Sequence, residues 1–273
     1  MINTKNKLKT LKMNSILKIS LLSGLLSITV GCLGTPPAGT SLIESANAAE
    51  KTETNLEELT PRHTFEYKII NSMLKRYHYK KFELNDEFSG QILDQYIKQL
   101  DPSRIYFTQA DINQFNKHRD KFDDYINAGD TEVAVNIFKK YQQRVNERSK
   151  YAIQRLGQKF DLTKDEEYNL DREKARWEVN ATALNMLWDK RIKNDYINQI
   201  LSDEKPAEVI SKLKKRYASM TKRTNQIKSN ELFQTIVNAY AGAIEPHTSY
   251  LSPRSSEQFD INMSLSLVVL ALY

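Results

Sequence analysis

Ala243-Ile-Glu-Pro-His-Thr-Ser-Tyr-Leu-Ser-Pro-Arg-Ser-Ser-Glu-Gln-Phe-Asp-Ile-Asn-Met-Ser-Leu-Ser-Leu267 is the stretch in which the character of the chain changes. Before it, from about residue 60 to residue 242, apolar residues recur at helical spacing. Pro246 and Pro253 remove backbone donors and push their predecessors out of the helical region, so a helix entering at Ile244 must stop. After Phe259 the period falls to two: Ile261, Met263, Leu265 and Leu267 alternate with Asn262, Ser264 and Ser266. That alternation predicts a half-buried strand, the first in the chain, with no later strand to pair with.

Upstream, the helical periods can be followed one by one. Phe65, Ile69, Met73, Leu74 and Tyr77 mark a first helix, with Pro61 suited to its first turn. A break at Lys80–Asn85 leads to a second, with Phe88, Ile92, Leu93, Tyr96 and Leu100, ended by Asp101-Pro102. Thr108 and Asp111 form an N-terminal signature for a third, carrying Ile112, Phe115, Arg119, Phe122 and Ile126 and closed by Asn127-Ala-Gly129. Asp130 can cap a long fourth helix through Val133, Ile137, Phe138, Tyr141, Val145, Ala152 and Leu156, ending near Gly157. Residues 163–179 read as irregular. Asn180 can cap a helix through Leu184, Leu187, Trp188, Ile192 and Leu201. Pro206 opens the next, with Val209, Leu213, Tyr217 and Met220, and Ser229 or Asn230 starts the last, with Phe233, Ile236, Val237, Tyr240 and Ile244. The fold class expected is mainly α, a multi-helix domain over 61–258 that ends in a single incipient strand from 259.

The net charge of +6 is concentrated at the N-terminus. Lys5, Lys7, Lys9, Lys12 and Lys18 precede any acidic residue, and without them the rest carries +1 with both signs interspersed. Such a body is not expected to bind nucleic acid. Residues 19–31 are an apolar run of signal-segment length, too short for a comfortable membrane span. Cys32, the only cysteine, follows Val30-Gly31 and resembles the acylated cysteine of a bacterial lipoprotein lipobox, with Thr29 where leucine is usual. The expectation is an exported chain with a signal segment over 1–32, lipidated at Cys32, and a tether over 33–60. Cleavage after Ala46-Asn47-Ala48, which would leave a soluble periplasmic protein, is the alternative. Either way a lone cysteine makes no internal disulfide.

Chemistry is not visible in the residue pattern. Four glycines follow residue 50, at 90, 129, 157 and 242, too scattered for a phosphate-cradling loop. His63, His78, His118 and His247 do not share a metal-ligand spacing. Asp123-Asp124, Asp165-Glu166-Glu167 and Asp171-Glu173 read as solvated faces, and Tyr77-His-Tyr79, Trp177 and Trp188 as packing aromatics rather than a binding groove. No Gly-x-Ser-x-Gly elbow occurs. No catalytic, cofactor or metal residue is expected, and no cofactor.

A resemblance adds what the periods cannot. Glu245-Pro-His-Thr-Ser-Tyr-Leu-Ser-Pro-Arg254, with Glu257-Gln-Phe259 and Met263-Ser-Leu-Ser-Leu267, resembles the signature of the tail-specific proteases, the C-terminal processing peptidases of the bacterial periplasm. Tyr77-His-Tyr-Lys-Lys-Phe82, Leu100-Asp-Pro-Ser103, Tyr168-Asn-Leu-Asp-Arg172, Lys174-Ala-Arg-Trp177 and Leu187-Trp-Asp189 follow the family's order. Glu245 stands where the family usually has Asp, and Glu178 where a proline often follows the tryptophan. The resemblance implies the family's helical N-terminal domain. In complete members a PDZ domain that holds substrate C-terminal tails comes next, and then a protease domain with a serine nucleophile and a lysine base. It also implies, as partners, proteins with apolar C-terminal tails and a helical lipoprotein adaptor. In that frame His247 and Ser249 are turn and packing residues, and the segment is a linker into an enzyme. Family members continue with an acidic residue and Gly-Ile-Gly where this chain has Val268-Val-Leu-Ala-Leu-Tyr273. Codons for Gly-Ile-Gly-Ala-Leu shifted by one nucleotide read Val-Leu-Ala-Leu, so a frameshift truncation without autonomous proteolysis is expected. The alternative is a non-catalytic exported helical lipoprotein serving as a binding module. The apolar, uncharged residues 265–273 are expected to promote aggregation.

Overall fold

The computed structural model describes residues 59–202 and 205–270, with side chains described through 264. Cys32, the signal segment and the tether up to residue 58 lie outside the described residues, as do residues 271–273, while Thr60 already caps α1. Among the described residues there are nine α-helices: α1 Pro61–Tyr77, α2 Asp86–Leu100, α3 Gln109–Phe115, α4 Phe122–Ala128, α5 Glu132–Arg155, α6 Ala181–Ile200, α7 Pro206–Asn225, α8 Ser229–Ile244 and α9 Pro253–Leu270. The mainly-α expectation holds.

Most boundaries agree with the capping chemistry. Asn85 and Asn180 accept from the N–H groups of Phe88 and Ala183. Thr108 and Asp111 form a reciprocal capping box on α3, and Gly129 closes α4 in the left-handed region at φ 69°. The Asp130 carboxylate accepts from the N–H of Glu132 at 2.8 Å, at the entrance to α5.

Two apolar cores are joined by α5. The first gathers α1, α2, α3, α4, the N-terminal half of α5, and α8 around Leu93, Tyr96, Phe107, Phe138, Phe233 and Tyr240. The second gathers the C-terminal half of α5 with α6 and α7 around Leu156, Trp188, Ile192, Val209 and Tyr217. At 24 residues α5 is long enough, about 36 Å, to serve both. The loop after α2 serves both as well, sending Ile105 into the second core and Phe107 into the first.

Three expectations are corrected. Ile261–Leu267 is helix, not strand, and lies within α9. A strand needs a neighbour for its backbone donors and acceptors, and none is present among the described residues, whereas a helix satisfies them internally. Because the alternation has period two, winding it into a helix scatters its apolar residues, and Phe259, Ile261 and Met263 are exposed. The single third helix is also divided. After α3 comes a short 3₁₀ turn, Asn116–His118, and then α4. Ser89 of α2 restarts the helix from outside, its hydroxyl accepting from the Asp123 N–H (2.8 Å) and donating to the Asp123 carboxylate (2.6 Å). Finally, of the apolar line of α1 only Leu74 packs against the first core, while Phe65, Ile69, Met73 and Tyr77 face outward. The buried residues of α1 are His63, Tyr67 and Asn71. They are drawn in because α8 offers polar partners: His63 Nε2 lies 2.8 Å from Asn230 Oδ1, and the Tyr240 hydroxyl donates to Asn71 Oδ1 at 2.9 Å.

Ending the chain at residue 260 removes the exposed Ile261 and Met263 and, among the described residues, nothing from either core. We expect its melting temperature to stay within about 2 °C of the full chain while soluble yield rises. A clear drop in melting temperature would show that α9 is packed.

Candidate functional site

The connector between α8 and α9, eight residues long, sets the direction in which the chain leaves the helical body. Glu245 ends α8, its N–H still bonded to the Ala241 carbonyl. Its carboxylate accepts from the His247 N–H at 2.8 Å, and its carbonyl from the Thr248 N–H at 3.0 Å, which closes a tight turn over Pro246. A glutamate is long enough to make this turn.

Beyond the turn the connector runs back along α8. Asn238 meets Tyr250 with both ends of its amide: Oδ1 accepts from the Tyr250 N–H (2.6 Å) and Nδ2 donates to the Tyr250 carbonyl (3.1 Å). One turn earlier on α8, Gln234 Oε1 accepts from the Ser252 N–H and the Ser255 hydroxyl, each at 3.0 Å. The Tyr250 ring stands edge-on to Phe233 at 5.8 Å. Three side chains of α8, those of Phe233, Gln234 and Asn238, therefore hold the alternate connector residues 250 and 252.

The end of α1 closes the clamp from the other side. His78 Nε2 lies 2.8 Å from the Thr248 hydroxyl, while its Nδ1 lies 2.9 Å from the Lys80 carbonyl and its ring stacks on Tyr79. The Lys80 ammonium donates to the Ile244 carbonyl, a helix C-terminal acceptor that attracts a cation. The chain thus leaves the helical domain from a point held by α1, α8 and its own turn.

His247, expected to turn and pack, turns but does not pack, since its side chain is exposed. Ser249 is exposed too. The carboxylate pairs are structural. Asp123 serves Ser89, Glu166 pairs with Lys193 at 2.6 Å, and Glu173 pairs with Lys98 at 2.6 Å. The aromatics do not converge. Trp188 is fully buried and donates Nε1–H to the Ile105 carbonyl at 2.7 Å, Trp177 lies under the Arg104 guanidinium, and Tyr77 and Tyr79 are on the surface. Among the described residues no cluster of His, Cys, Asp and Glu could hold a metal, and no helix is long and apolar enough to cross a membrane.

Several of the segments that carried the resemblance thus have physical roles in the helical body, among them the connector and the segments holding His78, Trp177 and Trp188. Residues 69–254 match the family model described as the tail specific protease N-terminal domain. The chain belongs to the tail-specific protease family. It is also 40% identical over 201 residues to a tail-specific protease of Haemophilus influenzae, an alignment covering 73% of this chain and 29% of that relative. The domain matched includes Leu100-Asp-Pro-Ser103 and the whole connector, and ends at Arg254 in the first turn of α9.

One structural role was invisible to periodicity. The Leu100-Asp-Pro-Ser103 segment reads as a helix stop, but Asp101 is buried and its carboxylate accepts from the N–H groups of Ile105, Tyr106 and Phe107 at 2.9, 2.9 and 3.0 Å. Three unpaired donors in a row downstream of an Asp-Pro are the signal that could have revealed it.

Asp111 does similar service with a formal partner. Burial raises its pKa, but the Arg144 guanidinium, bonded to both oxygens at 2.9 Å, and Thr108 outweigh this and hold the carboxyl below its ordinary range. A carboxylate with a depressed folded pKa contributes stability fully above its unfolded value, about 3.9, and loses it as pH falls through the folded value. Removing one partner of so buried a pair costs about 3 kcal/mol. The urea stability lost in Asp111→Asn is therefore expected to be large at pH 6 and to shrink towards pH 3. A loss that stays constant across that range would remove the pair from the account.

Proposed function

We propose that this chain is the exported, non-catalytic scaffold portion of a periplasmic tail-specific serine protease, lipid-anchored at Cys32. Proteins with apolar C-terminal tails are the substrates of the whole enzyme in this reading, and its peptide-bond chemistry lies outside residues 1–273. The connector carries the proposal. A domain that only filled space would have no need to pin the exit of its chain with Asn238, Gln234, His78 and Lys80. A domain that must present the next segment in a fixed direction does, because a small error at a hinge is amplified over the domain beyond it. The basic start, the apolar run and Cys32 support export and anchoring.

The test is a peptidase assay on unfolded proteins with apolar C-termini, using purified residues 33–273. No cleavage is expected. Cleavage that persists after contaminants are removed, and that is abolished by a substitution within this chain, would overturn the scaffold reading.

A further inference from the structure

On α1 four large apolar side chains stand in the open at intervals of four: Phe65 (64% exposed), Ile69 (41%), Met73 (56%) and Tyr77 (70%). Side chains four apart on a helix are neighbours, so these form one slanting ridge about 18 Å long rather than scattered exposures. Single exposed apolar residues are ordinary; a contiguous ridge marks a surface that is covered in use.

The charge around the ridge narrows what covers it. Among the charged residues of α1, Glu66 is the only acid, and it is already paired with Arg62 at 2.7 Å. Lys68, Lys75 and Arg76 remain, so the helix carries +3 in sum, and Lys80 and Lys81 extend the basic run just past its end. The Lys75 ammonium donates to the Asn127 side-chain oxygen, a neutral acceptor, and the Arg76 guanidinium lies over the exposed Tyr77 ring at 5.4 Å. A second copy of α1 would bring like charges together. A surface rich in anionic headgroups would not.

An apolar ridge of Phe, Ile and Met with a tyrosine at its edge and lysines and arginines along its flanks is the pattern of a helix that lies in a membrane interface. The position of α1 in the chain agrees. It is the first described helix after Cys32, and 28 residues, 33–60, separate the two, with Glu44, Glu50, Glu53, Glu57 and Glu58 against Lys51. An anchor that near in the chain makes contact between α1 and the bilayer effectively intramolecular, so even weak intrinsic affinity suffices.

We infer that the Phe65–Tyr77 face of α1 rests on the anionic surface of the membrane to which the chain is tethered. The inference rests on the anchored reading of Cys32, but the two fail separately. Cationic flanks each strengthen attachment near an anionic surface, by roughly fivefold per residue. Protein beginning at residue 33 keeps every described residue and carries no lipid. It is expected to float with vesicles containing phosphatidylglycerol, to float less at high salt, and not to float with neutral phosphatidylcholine vesicles. Phe65→Glu/Met73→Glu, at two exposed positions, should reduce flotation at least about tenfold with an unchanged thermal melt.

If the wild type fails to float, or the double variant floats equally well, the ridge is covered by something other than lipid, such as the rest of a longer polypeptide, and the inference is overturned. Labelled palmitate incorporated into the full chain and lost in Cys32→Ser reports the anchor independently of either outcome.

Discussion

Replacing Asp101 with alanine is expected to destabilise the domain by at least about 3 kcal/mol, a fall of roughly 6–12 °C in melting temperature for a protein of this size. The carboxylate is 1% exposed and serves three consecutive backbone donors. Each buried donor left without an acceptor costs about 1–3 kcal/mol, and alanine offers none. Relaxation is constrained on both sides. Pro102 fixes one dihedral of the loop, and Arg104 holds a left-handed φ of 51° while its guanidinium bonds to the Ala175 carbonyl. Further along, Ile105 and Phe107 are locked into different cores, and the Ile105 carbonyl accepts from buried Trp188. Slackening this loop therefore loosens both cores together. Thermal melts and urea titration would measure it. A loss under about 1 kcal/mol would mean that water replaces the carboxylate.

The same residue shows where reading the sequence stops working. Helix positions were legible because they rest on local rules: a 3.6-residue period, Asn and Thr caps, and a glycine stop at 129. The helical body, the irregular 163–179 stretch and the break at 80–85 all come from such rules. What failed depended on neighbours distant in sequence. Nothing local in Lys117–Lys121 says that the helix breaks there; Ser89, from another helix, decides it. Nothing in Phe65, Ile69 and Met73 says that they face outward; the polar partners on α8 decide it by drawing in His63 and Asn71.

The failure at Ile261–Leu267 is instructive in a different way. A period of two reports how side chains would divide between two faces if the backbone were extended, but the backbone extends only where another strand receives its hydrogen bonds. The connector lies between these cases. Its family signature was recognisable in the sequence, and its prolines announced a turn. Its clamp to Asn238, Gln234 and His78 needed the fold, because contacts between residues 78 and 248 have no signature in a sequence window.

Gly129→Ala tests the packing that places α1, and with it both the ridge and the His78 clamp. An added Cβ at Gly129 would sit 2.5 Å from the Thr64 carbonyl oxygen of α1 and 3.1 Å from the Lys68 side chain, at a φ of 69° that alanine adopts at a cost of about 1–2 kcal/mol. The lysine can swing away; the carbonyl belongs to a helix backbone and cannot, so α1 must move off α4. Overpacking of this kind adds about 1–3 kcal/mol, for a total of about 2–5 kcal/mol. Gly242→Ala is the matched control. There the Cβ would meet only the Gln95 amide at 3.2 Å, the end of a flexible side chain, and alanine in a helix is favoured over glycine by about 1 kcal/mol. The two variants should therefore differ by several kcal/mol in opposite directions, although each adds one methyl group. Amide exchange should quicken along α1 in Gly129→Ala and stay unchanged there in Gly242→Ala. Melting temperatures for the pair within about 2 °C of each other would mean that the Thr64 contact yields to a small shift, and α1 would not be rigidly placed by α4.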